Sequence, residues 1–293
     1  MHEIIMNKRT TFSSLKRNEL RNIKNVPLLK AISGKNVSIY AVTALANFAF
    51  EKELLQQYSK LLTNRVSKKM SGCVVEFDTL KGMAYSLPAL TVKVLKNNKI
   101  RYESLVLTLA DSNEIYGKTT SLPVLCVFKE AGAPVTKIIH CSLEKMFSCC
   151  IRPCCVSNIK FLWLTGIGIN ESLMRKANEG VNIAFSLPEF SQQSQIHIHL
   201  TEESLENLWL CSREDPASSV LTLDEIQSFF HGLLEHIKKT YGFNLEECSL
   251  KSVKMEGIKF LSGKKLQMFI SSEEIAYLIL SFLQSDCVSS KFL

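Results

Sequence analysis

Residues 91–102, TVKVLKNNKIRY, limit the fold more than any other stretch of this sequence. Polar and apolar residues alternate over residues 91–94 and again over 100–102, and a period of two is typical of a strand with one buried face. Residues 96–99, KNNK, lie between the two runs, and asparagine tolerates the positive φ that a tight turn requires. The stretch therefore predicts a β-hairpin.

The rest of the chain mixes strand and helix patterns. Further strands are predicted at residues 37–50, 105–109, 122–128, 159–163, 181–187 and 196–200, with a second hairpin over 258–270. Helical spacing of apolar residues predicts helices at 54–66, 142–150, 205–209, 226–237 and 275–283. Thr222 with Glu225, and Ser271 with Glu274, have the spacing of capping boxes at two helix starts. Hairpins outnumber βαβ units, so the predicted fold is α+β with largely antiparallel sheets.

Positive charge is concentrated in the first third of the chain. The whole sequence has 293 residues and a net charge of +7. Residues 1–101 carry 18 Lys and Arg against 6 Asp and Glu, a net charge of +12, whereas residues 102–293 carry 17 against 22, a net charge of −5. This asymmetry suggests that the N-terminal third faces a polyanion, although a solvated basic surface kept for solubility is the alternative.

The basic residues of this third are the most plausible functional set. They would contact phosphates and release counterions without reading bases. The predicted DNA-facing residues are Lys60, Arg65, Lys68, Lys69, Lys93, Lys96, Lys99 and Arg101.

Three segments are predicted from composition. Residues 1–36 hold eight Lys and Arg against two Glu, with sparse apolar residues, and predict a flexible basic arm that could contain one short helix. Residues 37–175 are expected to form an N-terminal α+β domain, and residues 176–293 a C-terminal α+β dimerisation domain. No signal peptide is apparent and the uncharged stretches are short, so an intracellular protein is expected.

Known catalytic and nucleotide-binding motifs are absent from the sequence. Gly117-Lys118-Thr119 resembles the end of a phosphate-binding loop, but Ser112 stands where that loop needs glycine. Gly166-Ile167-Gly168 is followed by Glu171 where a dinucleotide-binding fingerprint has glycine, and a carboxylate there would repel the pyrophosphate. These departures favour a non-enzymatic protein without a cofactor or a small-molecule substrate.

Cysteines and histidines are the remaining candidates for metal ligands. Cys149, Cys150, Cys154 and Cys155 are crowded together, whereas a structural zinc site usually takes two short-spaced pairs separated by a longer loop. We therefore expect buried, metal-free thiols. His197 and His199 share one face of a predicted strand and could bind a metal or a proton, but a solvent-facing strand surface is the more common case.

A partner-binding surface is predicted near the C-terminus. The hairpin over residues 258–270 supplies more apolar surface than one terminal helix is expected to cover, and an exposed strand edge would pair with another chain. The predicted partner-binding residues are Ile258, Phe260, Leu266, Met268 and Ile270.

Short stretches spread over residues 37–285, in the same order along the chain, resemble the centromere protein L family. They are VSIYAVTAL at 37–45 with Phe48 and Phe50, Leu54 with YSKLL at 58–62, LKGM at 80–83, Phe147, Cys149, Pro153, Trp163, FSLP at 185–188, IHIH at 196–199, Leu208-Trp209, and LTLDEI at 221–226 with Phe229, Leu234 and His236. The sequence departs from the family at Ala44, where proline is usual, and in its cysteine cluster.

The resemblance implies a curved, saddle-like antiparallel sheet with packed helices. It also implies a heterodimer with centromere protein N, formed through the C-terminal domains, within the constitutive inner-kinetochore network on centromeric nucleosomes. A basic contribution to the DNA path and contacts with centromere protein C would follow, in the nucleus at the centromere. A stand-alone, non-specific nucleic-acid-binding protein and an enzyme with a diffuse site are the alternatives.

Overall fold

The computed structural model describes residues 11–13, 26–82, 86–109, 119–175, 179–187, 194–215, 220–263 and 265–289. The chain forms two compact units, and each is assembled from two separate segments. One unit takes residues 22–155 and 263–293, and the other takes residues 1–21 and 156–262. These divisions differ from the predicted boundaries, because residues 156–175 join the second unit and the end of the chain joins the first.

Within the described residues, the strands and helices intermix along the chain. The strands are β1 Thr11–Ser13, β2 Asn36–Val42, β3 Leu45–Ala46, β4 Cys73–Leu80, β5 Ala89–Lys96, β6 Lys99–Leu107, β7 Thr119–Thr120, β8 Val124–Lys129, β9 Ile151–Pro153, β10 Val181–Ser186, β11 Gln195–Leu200, β12 Val220–Thr222, β13 Ser249–Met255, β14 Ile258–Leu261 and β15 Gln267–Ile270. The helices are α1 Pro27–Ile32, α2 Lys52–Val66, α3 Ala133–Phe147, α4 Asn158–Met174, α5 Glu202–Ser212, α6 Leu223–Tyr241 and α7 Glu273–Ser289. The described strand pairings are antiparallel, which confirms the α+β class with largely antiparallel sheets.

The first unit is built on strands in the order β15-β2-β8-β6-β5-β4, with β9 also paired to β2. Helices α2 and α3 pack on one face of this sheet, over a core that includes Leu62, Val92, Tyr102 and Phe147. Strands β5 and β6 form the predicted hairpin. Its turn residues Asn97 and Asn98 have φ of 53° and 57°, as two-residue hairpin turns require.

The second unit is built on strands in the order β11-β10-β13-β14, and α4 contacts β13, β14 and α6. The predicted strand at residues 159–163 is wrong, because this segment begins α4. Ser157 caps the helix by accepting a hydrogen bond from the Lys160 amide. The helix is buried on nearly all sides from Phe161 to Ile169, and a short apolar segment of this kind cannot be assigned to strand or helix by periodicity.

Two parts of the predicted flexible arm have regular structure. Residues 27–32 form α1, in which Leu28, Leu29 and Ile32 are fully buried. Residues 11–13 form β1, which pairs with β12. The short helix that the arm prediction allowed is therefore present as α1. The segment is packed and not a free arm there, because three large apolar side chains gain more from burial than a charge count indicates.

The helix caps were predicted with mixed success. Thr222 and Glu225 form the complete capping box at the start of α6, as predicted. At the start of α7 the hydroxyl of Ser272, not that of Ser271, accepts from the Ile275 amide at 3.5 Å. Helix α2 ends at Val66, as predicted, and Lys68 and Lys69 lie in the turn that follows it.

Candidate nucleic-acid and partner interfaces

Helix α2 lies along the outer edge of β4, the last strand of its sheet. The Val75 amide donates to Thr63 Oγ1 at 2.9 Å, and the Phe77 amide donates to Ser59 Oγ at 3.1 Å. These two N–H groups face away from β5, where an edge strand normally leaves donors free for another chain. The helix hydroxyls satisfy them, so this edge is protected from strand addition.

Four predicted DNA-facing lysines lie at one end of this sheet. Lys68 and Lys69 are exposed in the turn between α2 and β4, and β4 then begins at Cys73, which is in register with Lys96. Lys96 is paired across the hairpin turn with the exposed Lys99. Burial raises the pKa of the Cys73 thiol, and the nearby Lys96 ammonium opposes that shift.

We call this set the basic rim and define it as Lys68, Lys69, Lys96 and Lys99. None of the four forms an ion pair with a residue that the structure describes. The register of β4 with β5, and of β5 with β6, brings together side chains that are up to 31 positions apart in the sequence.

The other four predicted DNA-facing residues have different surroundings. The Lys93 ammonium lies 4.0 Å from the Glu103 carboxylate, and Glu76 is opposite Lys93 across the strand pair. Arg65 donates to the Ser142 carbonyl at 3.3 Å, which directs its guanidinium toward α3. Arg65 is nevertheless exposed, as are Lys60 beside the groove between α2 and β4 and Arg101 beside a register shift in β6.

The five predicted partner-binding side chains are not exposed. They are between 0% and 2% exposed in the chain itself. They are Ile258, Phe260, Leu266, Met268 and Ile270. The premise of that prediction, an apolar surplus at the surface, is therefore wrong, because neighbours far away in the sequence cover these side chains. The strands were placed correctly, but their apolar residues belong to the core.

Strand β11 is a more accessible candidate for strand pairing. It is the outermost strand of its sheet and pairs with β10 alone among the described strands. The Leu187 amide donates to the Ser194 carbonyl at 3.4 Å. Hydrogen-bonded pairs alternate in an antiparallel ladder, so the backbone groups of residues 194, 196 and 198 are directed toward β10 and its extension. The backbone groups of Gln195, His197 and His199 then face outward.

The chain is similar to known proteins of one family. The family model described as centromere protein L matches residues 32–277. The chain belongs to the centromere protein L family. A curated relative, centromere protein L of Gallus gallus, is 23% identical over 134 residues, which cover 46% of this chain. The match spans 38% of that relative's length.

Membership of the centromere protein L family places the chain among nuclear proteins of the centromere and kinetochore. The family is one of structural kinetochore proteins with no known enzymatic activity. No described helix combines the length and hydrophobicity needed to cross a bilayer. Among the described residues, no group of three or more His, Cys, Asp and Glu is arranged to hold a metal ion.

The cysteines of this centromere protein L family member are free thiols wherever the structure describes them. Cys154 is buried, Cys149 and Cys150 are half-buried, and Cys155 is exposed, so burial was predicted correctly for part of the cluster. Burial raises the pKa of Cys149 to about 11, which keeps this thiol protonated and unreactive at neutral pH.

A polar network in the first unit was not foreseen. Lys265 forms an ion pair with Glu130 and donates to the Tyr40 hydroxyl at 3.3 Å. The Tyr40 ring lies edge-on to His140, whose Nε2 is 3.1 Å from the Tyr102 hydroxyl. Tyr102 is fully buried, and the network links the segment after residue 263 to the sheet.

Proposed function

We propose that this chain is a non-enzymatic scaffold subunit of the inner kinetochore. It would form a heterodimer with centromere protein N and support assembly of the constitutive centromere-associated network, including contacts with centromere protein C, on centromeric nucleosomes. In this proposal the basic rim faces nucleosomal DNA. The observation that supports it most is the convergence of the four lysines at one end of the sheet, without ion pairs to described residues.

The lysines of the basic rim are suited to contact DNA phosphates and not the edges of the bases. Each lysine is a point charge on a flexible stem, and such groups hold the DNA backbone without reading its sequence. A patch of four charges is small, so binding by the chain alone should be weak and should become tight only when a partner adds contacts.

Salt dependence of DNA binding tests the rim. Each phosphate contact contributes about 0.9 to the slope of log affinity against log salt, so replacing all four lysines with alanine should flatten the slope by up to about 3.6. Binding to all duplex sequences should weaken alike. The heterodimer would be measured by fluorescence anisotropy over several salt concentrations.

A matched control removes two lysines that are already neutralised. Lys238 and Lys239 both contact Glu235 in α6, so K238A/K239A should leave the slope almost unchanged. An unchanged slope in the rim variant would remove the rim from the DNA path. Tight duplex binding by the chain alone would instead favour a stand-alone nucleic-acid-binding protein.

The open edge of β11 supports the proposed heterodimer. Strand addition uses outward-facing backbone groups, and proline at an outward-facing position removes one donor while leaving the ladder to the neighbouring strand intact. We expect Gln195→Pro to abolish co-elution with centromere protein N, with the circular dichroism spectrum unchanged. Full co-elution of this variant would place the partner elsewhere. Aspartate at Phe260 or Met268 would be unsuitable here, because both side chains are in the core.

A further inference from the structure

Strand β11 carries two histidines at alternate positions. His197 and His199 are both exposed, and their side chains lie on the same face of the strand, opposite Ala184 and Asn182 of β10. Residues two apart on a strand have Cα atoms about 6.7 Å apart. Two imidazoles at this spacing can lean toward one ion at the Zn–N distance of about 2.1 Å.

The hydrogen bond of His199 defines its tautomer. His199 Nδ1 lies 3.1 Å from Asn182 Oδ1. An amide oxygen only accepts, so Nδ1 must donate, and in the neutral ring the lone pair is then on Nε2. Histidines that bind metals almost always donate their other ring N–H to such an acceptor, which fixes the orientation of the ring.

The space around the two histidines favours cation binding, whereas a nearby positive charge opposes it. His197 is opposite alanine, which leaves room beside its ring, and His199 borders a cavity of about 260 Å³ that is also lined by Glu179 and Lys254. The cavity can hold water molecules as additional ligands. Lys254 is in register with Asn182, and its ammonium would repel a cation at this face.

We propose that His197 and His199 bind one divalent cation of the borderline class, Zn²⁺ or more tightly Cu²⁺, through their Nε2 atoms. The chain supplies two ligands, and water or a partner side chain completes the coordination. Imidazole suits both ions, and Cu²⁺ stands above Zn²⁺ in the general affinity order. The kinetochore scaffold role does not require this site, so the inference stands apart from the proposed function.

Isothermal titration of the full chain with Zn²⁺ tests the proposal. Asparagine or glutamine at either histidine should weaken binding at least tenfold. The matched control is H231Q/H236Q, which removes two exposed histidines of α6 and should leave this affinity unchanged. All variants keep the same thiols, so binding by cysteine would appear equally in each. Equal losses in the control, or no loss in H197Q and H199Q, would overturn the site.

Variants of two neighbouring residues, Asn182 and Lys254, distinguish a preformed metal site from two unrelated surface histidines. Asn182→Ala removes the acceptor that orients His199, and loss of such a partner typically weakens metal binding about 10- to 100-fold. Lys254→Gln removes the repelling charge and should tighten binding. If both variants bind Zn²⁺ with wild-type affinity, the surroundings do not form a site and the proposal fails.

Discussion

Among the glycines inside the described helices, Gly166 is the one where an added methyl group should cost the most. It lies inside α4, and a Cβ there would be 2.7 Å from Cγ1 and 2.8 Å from Cδ1 of Ile226 in α6. Ile226 is fully buried and β-branched, so its side chain has few rotamers into which it can move. We expect Gly166→Ala to force α4 and α6 apart or to strain Ile226.

The magnitude follows from two opposing effects. Alanine in a helix interior is favoured over glycine by about 1 kcal/mol. Overpacking a core by one methyl group costs about 1–3 kcal/mol. Gly166→Ala should therefore destabilise the second unit by up to about 2 kcal/mol.

Two other helix glycines provide matched controls. A Cβ at Gly232 has Leu208 Cδ2 as its nearest neighbour at 4.0 Å, so Gly232→Ala should gain about 1 kcal/mol. A Cβ at Gly168 would be 3.2 Å from Cε of Met255, the end of a flexible side chain, so Gly168→Ala should be close to neutral.

Urea denaturation followed by tryptophan fluorescence measures all three variants. Trp163 and Trp209, the two tryptophans of the sequence, both belong to the second unit, so the signal reports on the unit that is changed. The midpoints should rank G232A above G168A and G168A above G166A, with equal m-values. A G166A protein as stable as G232A would refute the steric argument.

Two further predictions concern buried ionisable groups. Burial lowers the pKa of His140 to about 4, below its ordinary value of 6.5. As the pH falls, the imidazole is therefore protonated in the unfolded chain before it is protonated in the folded chain. Stability should then decline from about pH 6.5 downward, by about 2 kcal/mol at pH 5, and His140→Gln should remove this part of the decline in denaturation monitored by circular dichroism. Glu225→Ala should cost about 3–5 kcal/mol in the tryptophan assay, because it removes the buried carboxylate that lies 3.3 Å from the Arg213 guanidinium, which is itself 3% exposed. The control Asp224→Ala, in the same helical turn but exposed, should cost less than about 1 kcal/mol.

Sequence patterns correctly predicted elements that depend on residues close together in the chain. The β5–β6 hairpin follows from alternation and two asparagines, and both lie within a dozen residues. The capping box of Thr222 and Glu225 needs four residues. In each case the residues that interact with one another lie within the same short stretch of sequence.

Features that depend on distant neighbours were predicted poorly. Residues 159–163 are predicted as a strand but belong to α4, because a buried helix has no polar face to show its period. Phe260 and Met268 were assigned to the surface because the segments that cover them are far away in the sequence. The basic rim also depends on distant residues, because Lys68 and Lys69 lie in the turn before β4, and strand register places Lys96 opposite the first residue of β4.

The strand edges at β4 and β11 differ in a way that supports a partner at β11. At β4, hydroxyls from Ser59 and Thr63 occupy the outward amides, and proteins commonly cover edges in this manner to prevent unwanted pairing. At β11, the outward positions 195, 197 and 199 have no such cover among the described elements. An exposed edge is an aggregation hazard, and it is more easily retained where another chain occupies it in the assembled state. On this reasoning the sealed edge should stay inert when the β11 edge is blocked by Gln195→Pro. Residual self-association of that variant through β4 would contradict the argument.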